Sequence, residues 1–211
     1  MGLYFNRELE NEALISVWEI TESEDELLNL SSIPNEELEE LALIRNSARR
    51  KEKLAVRALL NKVFDGKVYL GHHDNGRPYL QNSLIEISIS HTNRFVSILT
   101  HPEESVGIDI ESLNRNYSAV EKRALSLEEL DYLSDRDRDL QLAVIWSAKE
   151  AVFKRMSRSD IDFSSQIIVK KFSPRESGEL EVIFIDKDGD QQEFELNYEI
   201  FENHVMAWLV G

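Results

Sequence analysis

Gly107-Ile108-Asp109-Ile110-Glu111 sets two carboxylates two residues apart in a β-forming segment. Alternate residues of a strand share a face, so Asp109 and Glu111 point one way and Ile108 and Ile110 point into the core. Two carboxylates on one face repel unless a cation lies between them. A hard divalent ion such as Mg2+ takes oxygen ligands and keeps waters that substrate phosphates can replace. The same pattern also fits a half-exposed antiparallel strand with acidic outward positions. Trp146-Ser147-Ala148-Lys149-Glu150-Ala151-Val152-Phe153-Lys154 is the second such segment. On a helix, Trp146, Glu150 and Lys154 share a face, and Val144, Ala148 and Val152 cover another. Glu150 and Lys154 read either as a surface ion pair or as a third metal ligand beside a cation, with Lys149 and Lys154 supplying charge for phosphate oxygens.

Three weaker signals accompany these. Ser88-Ile89-Ser90-His91-Thr92 closes an alternating strand, and a histidine beside hydroxyls there is either structural or a phosphate contact. Gly76-Arg77-Pro78 is a positively charged turn. Arg49, Lys53 and Arg57 form a basic stripe at helical spacing. Each such cation can make a charge-assisted hydrogen bond to phosphate, or can lie on a solvated helix face.

The elements that must position these residues can be read from periodicity. Residues 13–20 are a strand, 22–30 a short helix, and the chain from Glu36 to Phe64 is helix-rich. Ile85–His91, Phe95–Thr100 and Val106–Glu111 alternate as strands. The second half offers a helix over Val120–Leu133 and a long one over Leu140–Met156. Strands follow over Ile167–Phe172, Leu180–Ile185, Phe194–Ile200 and Val205–Val210. Both halves run helix first and then several antiparallel strands. The expected architecture is therefore α+β. It has two pseudo-symmetric lobes, 1–105 and 106–211, each with helices on a mainly antiparallel sheet and a ligand cleft between them.

Composition narrows the chemistry. The chain has 211 residues and no cysteine, which excludes a thiol nucleophile, a thiolate metal site and a disulfide scaffold. Its net charge of −16 argues against nucleic acid, which needs a basic surface. The charge is uneven: residues 1–40 hold twelve acids and one base, whereas residues 41–62 hold seven bases and one acid. An acidic protein with one basic stretch suits a small polyanionic ligand bound locally. No signal peptide and no apolar run long enough to span a bilayer is evident, so a soluble cytoplasmic protein is expected.

In this order, G-R-P, S-H-T, G-I-D-I-E and W-S-A-K-E-A-V-F-K, the motifs resemble the Sfp-type 4'-phosphopantetheinyl transferases. The resemblance covers most of the chain, from near Arg49 to Lys154. It implies coenzyme A in the cleft between the lobes. It also implies Mg2+-dependent transfer of the 4'-phosphopantetheine arm to a serine hydroxyl of an acyl or peptidyl carrier protein, the reaction of a holo-acyl-carrier-protein synthase. By motif, Asp109, Glu111 and Glu150 would bind Mg2+, and Glu150 would also be the base for the serine. Lys154 would neutralise the diphosphate and protonate the leaving group. Lys149 would contact phosphate, Ser90 and His91 would touch the coenzyme A phosphates, Arg77 would lie near the nucleotide, Arg57 would bind the 3'-phosphate, and Arg49 upstream would serve the same ligand. One chain supplying both walls implies a monomer.

Two features depart from the family. Its members commonly carry glycine just after the motif lysine, whereas here the stretch is Arg155-Met156-Ser157-Arg158-Ser159-Asp160. Carrier proteins are usually acidic, as this chain is, so docking is expected to lean on apolar contacts. Other readings are a catalytically silent homologue that binds coenzyme A or a carrier, a metal-dependent nuclease, and a structural domain with acidic strands. The intact set Asp109, Glu111, Glu150 and Lys154 speaks against silence, and the missing basic surface speaks against a nuclease.

Overall fold

The computed structural model describes residues 2–66, 68–81, 83–158 and 160–211. Its elements run β1 (Leu3–Glu8), β2 (Leu14–Glu19), α1 (Glu24–Leu30), α2 (Asn35–Leu43), α3 (Ser47–Val63), β3 (Tyr69–His72), β4 (Pro78–Gln81), β5 (Glu86–His91), β6 (Phe95–His101) and β7 (Val106–Ser112). They continue as α4 (Ser118–Ala124), α5 (Leu127–Tyr132), α6 (Arg138–Met156), β8 (Ile167–Val169), β9 (Ser177–Ile185), β10 (Gln191–Phe201) and β11 (His204–Val210). One sheet has the order β1-β2-β6-β5 and a second the order β7-β11-β10-β9-β8. Strands β3 and β4 pair only with each other among the described residues. The recorded pairings are antiparallel.

Period-two alternation sets the layering. Ile15, Val17, Phe95 and Leu99 of the first sheet, with Ala13 just before β2, meet Val106, Ile108, Ile110, Met206 and Trp208 of the second in one buried cluster. The opposite face of the first sheet, with Trp18, Ile87, Val96 and Ile98, packs under Leu54, Val56, Leu59 and Leu60 of α3. The opposite face of the second, with Val182, Leu196, Val205 and Ala207, packs under Val144, Ile145, Ala148 and Val152 of α6. Burying each such aliphatic side chain contributes about 1.5–3 kcal/mol before conformational entropy is set against it. The fold is thus α+β, with helices packed on mainly antiparallel sheets.

Several elements differ from the sequence reading. The helix-rich stretch from Glu36 splits at Ile44, where the backbone turns extended before Asn46 caps α3 by accepting from the Arg49 amide at 3.3 Å. The expected helix over Val120–Leu133 is two helices. Ser126 starts the second with a capping box, accepting from the Glu129 amide while its own amide donates to the Glu129 carboxylate. Strand β1 has no counterpart in the sequence reading, because its apolar and acidic residues alternate too weakly to mark a buried face. After Lys154, the αL position that favours glycine is taken by Ser157, which ends α6 with φ 54°. Ser159 in that glycine-free stretch lies outside the described residues.

Candidate active site

Gly107 brings helix and strand together. A Cβ at this position would lie 2.0 Å from the Ala151 carbonyl oxygen, so only glycine lets α6 lie this close over β7. Alternation then turns Asp109 and Glu111 toward the helix, and helical spacing turns Trp146, Glu150 and Lys154 toward the strand. Lys154 Nζ donates to Asp109 Oδ1 at 2.7 Å and to the Ile108 carbonyl at 3.1 Å. At the other end, Trp146 Nε1 donates to Glu111 Oε1 at 2.8 Å, and the Arg115 guanidinium binds the same oxygen. Phe163 stacks on the Trp146 ring at 5.4 Å and fixes its plane.

The first sheet closes the site from the other side. Ser90 Oγ donates to Asp109 Oδ1 at 2.8 Å, and Ser88 Oγ accepts from the Ile108 amide at 3.0 Å. Asp109 is buried, and its Oδ2 has no hydrogen-bond partner among the described residues. Burial, then repulsion from Asp109, raises the Glu111 carboxyl above its ordinary value. Burial raises Glu150 to about 7, with Asp109 adding to the rise, Lys154 opposing it and Glu111 adding again. Three carboxylates therefore share one low-dielectric space, held together by Lys154 and Arg115. As the side chains stand, no group of three or more His, Asp or Glu residues among the described residues is arranged to hold a metal ion. The two intrinsic cations draw on the oxygens Asp109 Oδ1 and Glu111 Oε1.

A groove leads away from this centre. Its inner part, about 230 Å³, is lined by Arg77, Ser88, Phe153, Lys154 and Arg158 among others, so the β3–β4 hairpin, β5 of the first sheet and the end of α6 form its walls. Asn75 Nδ2 donates across it to the Ser157 carbonyl at 2.8 Å. Gly76, Pro78 and Ile89 continue into an outer part of about 250 Å³ that holds Lys53, Arg57 and His91. Arg77 is ion-paired with Glu86, and Arg57 Nε donates to Glu37 Oε1 at 2.7 Å. His91 Nδ1 lies 3.5 Å from Glu52 Oε2. Burial lowers the His91 pKa; Glu52 opposes this, and Lys154 and Arg49 add to it. Arg49 is exposed on the first turn of α3.

One residue of the expected set is elsewhere. Lys149 is fully buried and donates at 2.7 Å to the Ala124 carbonyl, the Glu129 carboxylate and the Phe163 carbonyl. An ammonium has three donors, and all three are used, so the expectation that Lys149 contacts phosphate is corrected: it ties α5 and the 163 segment to α6. Its position next to Glu150 in sequence puts it about 100° around the helix. Glu129, its partner, was missed, although Ser126-x-x-Glu129 is a readable capping box. Arg115, Glu37, Glu52 and His72 were missed as well, with no short-range pattern to mark them.

Residues 105–209 match the family model of the 4'-phosphopantetheinyl transferase superfamily. A protein of Haemophilus influenzae (strain ATCC 51907 / DSM 11121 / KW20 / Rd), named "Putative 4'-phosphopantetheinyl transferase", is 31% identical over 87 residues. That match covers 38% of this chain and 37% of the relative.

Proposed function

We propose, from the premise that this chain belongs through residues 105–209 to the 4'-phosphopantetheinyl transferase superfamily, that it is an Sfp-type enzyme acting on coenzyme A. The serine hydroxyl oxygen of an acyl or peptidyl carrier protein bonds to the phosphorus that bears the pantetheine arm. The diphosphate P–O bond breaks, and 3',5'-ADP leaves. The observation that carries this reading is the meeting of Asp109, Glu111, Glu150 and Lys154 at the end of a basic groove.

Asp109, Glu111 and Glu150 fit a hard cation by their chemistry: three carboxylates, two of them raised by burial and mutual repulsion, and one buried oxygen without a partner. Mg2+ held there would neutralise and polarise the diphosphate. Glu150 accepts the serine proton directly or through water. Lys154 stands between Asp109 and the inner groove, where its ammonium meets charge developing on the leaving phosphate. Ser90 and His91 contact the phosphates beside it. Arg77, Arg57 and Arg49 serve the nucleotide along the groove. The reading includes lobes divided near residue 105, with the ligand between them, in a cytoplasmic monomer that binds neither nucleic acid nor membrane. No helix among the described residues is long and apolar enough to cross a bilayer.

The test is intact-mass spectrometry of an apo carrier protein incubated with coenzyme A, Mg2+ and this protein. A gain of about 340 Da, the transferred group by covalent arithmetic, is expected, with loss of that gain in Glu150→Gln and Asp109→Asn. Coenzyme A binding with no transfer to carriers of several classes would make the chain a silent homologue. Absence of coenzyme A binding would overturn the family's activity for this chain.

A further inference from the structure

The outer part of the groove holds more than the cations expected from the sequence. Lys53, Arg57, His72 and His91 line it, and so does one carboxylate, Glu37 of α2. Glu37 Oε1 accepts from Arg57 Nε at 2.7 Å, while Arg57 Nη2 donates to the Leu70 carbonyl at 3.2 Å. Only 12% of the Arg57 side chain and 22% of the Glu37 side chain is exposed, so the pair is partly withdrawn from water. Lys53 and Arg57 are the outer part's two full cations, and Glu52 lies 3.5 Å from the His91 ring at its edge. Burial, then Arg57 and Lys53, lowers the His72 pKa against the pull of Glu37 and Glu40.

A small chamber lined by a lysine, an arginine and two imidazoles offers the donors that a phosphomonoester takes. The family resemblance implies which phosphate: the diphosphate, whose bond breaks, goes to Asp109 and Lys154, and Arg57, which lines this chamber, takes the 3'-phosphate. There, the Glu37 carboxylate holds the position on Arg57 that a phosphate oxygen would take.

Resting on the transferase reading, we infer that Glu37 sets ligand specificity: its carboxylate holds Arg57 as an internal stand-in for phosphate and is exchanged for the 3'-phosphomonoester on binding. The exchange taxes coenzyme A but not 3'-dephospho-coenzyme A, which has no phosphate to present there. Glu37 thereby narrows the advantage of the phosphorylated ligand.

Calorimetric titration of both ligands into the wild-type protein, Glu37→Gln, Arg57→Gln and the double variant tests this. Glu37→Gln is expected to tighten coenzyme A about fivefold, the scale of a partly exposed ion pair. It is expected to leave 3'-dephospho-coenzyme A unchanged and to have no effect once Arg57 is Gln. Glu37→Ala provides a second variant should Gln disturb α2, and thermal melting checks that each is folded. Weaker coenzyme A binding by Glu37→Gln would make Glu37 an orienting partner of Arg57 and overturn the exchange. Equal tightening of both ligands would overturn it too, as a general charge effect. Wild-type binding of coenzyme A with an unchanged ligand ratio in the variants overturns the exchange alone. No coenzyme A binding by the folded wild type overturns the transferase reading and the exchange together.

Discussion

Glu150 is the residue on which site chemistry and stability conflict. Its carboxyl is raised from an ordinary 4.5 to about 7, chiefly by burial. The unfolded chain loses this proton first, so between about pH 4.5 and 7 the unfolded state binds fewer protons than the folded one. Stability therefore falls as pH rises through that window. Glu150→Gln removes the titration. It is expected to stabilise the metal-free protein by about 1–2 kcal/mol at pH 8, after discounting for partial exposure, and to change little at pH 4. Melting curves at the two pH values in chelator check this, and equal gains at both would refute it. A buried carboxyl kept for chemistry at a cost in stability is the usual trade of stability for function. Lys149 shows the opposite use of charge. Buried with Glu129, it is a fastening whose removal would leave a carboxylate buried without its cation.

At the scale of elements, the site depends on how closely α6 approaches β7. Trp146 meets Glu111 and Lys154 meets Asp109, so the helix runs antiparallel to the strand and its second half is held at two points. Gly107, where the Ala151 carbonyl sits 2.0 Å from a notional Cβ, sets the separation. Gly107→Ala must push the helix outward. The expected result is a destabilisation of about 1–3 kcal/mol from overpacking and a fall in transfer rate on the order of 100-fold from misplaced Glu150 and Lys154. Urea denaturation and single-turnover transfer measure the two. Wild-type kinetics in a folded Gly107→Ala variant would show that the close approach is not needed. The hairpin β3–β4 is placed differently. It joins neither large sheet among the described residues, yet supplies Gly76, Arg77 and Pro78 to the groove and reaches α6 through Asn75 and Ser157.

Over the whole molecule, a net charge of −16 surrounds a groove that is locally basic. Small anions can be drawn to the groove itself, whereas an acidic protein partner meets the net field first. Carrier affinity is therefore expected to stay level or improve as NaCl rises from about 0.05 to about 0.3 M, because salt screens the repulsion. Coenzyme A affinity should fall over the same range. Binding isotherms at the two concentrations test both, and a steep loss of carrier affinity would place a basic docking patch on this surface. The same scale explains the position of the centre. The cluster of Ile15, Phe95, Ile108, Ile110 and Trp208 packs one sheet on the other, which sets Ser90 of β5 against Asp109 of β7.

The sequence alone determined the pieces whose pattern is local. Alternation in Val106–Ser112 separates Asp109 and Glu111 from Ile108 and Ile110. Helical spacing puts Trp146, Glu150 and Lys154 on one face, and the charge map shows one basic stretch in an acidic chain. These follow from periods of two and 3.6, which neighbours a few residues apart define. Tertiary structure alone decided what depends on distant partners. Lys149 reads like any cation of its motif, and only complete burial against Ala124, Glu129 and Phe163 makes it structural. Arg57 reads as a free cation until Glu37, twenty residues earlier, is found on it. Arg115 reaches Glu111 by a turn that follows a strand, where helical spacing carries no meaning. The physical reason is common to these cases: burial and charge pairing belong to the space around a side chain, and that space is filled by segments the local sequence does not contain.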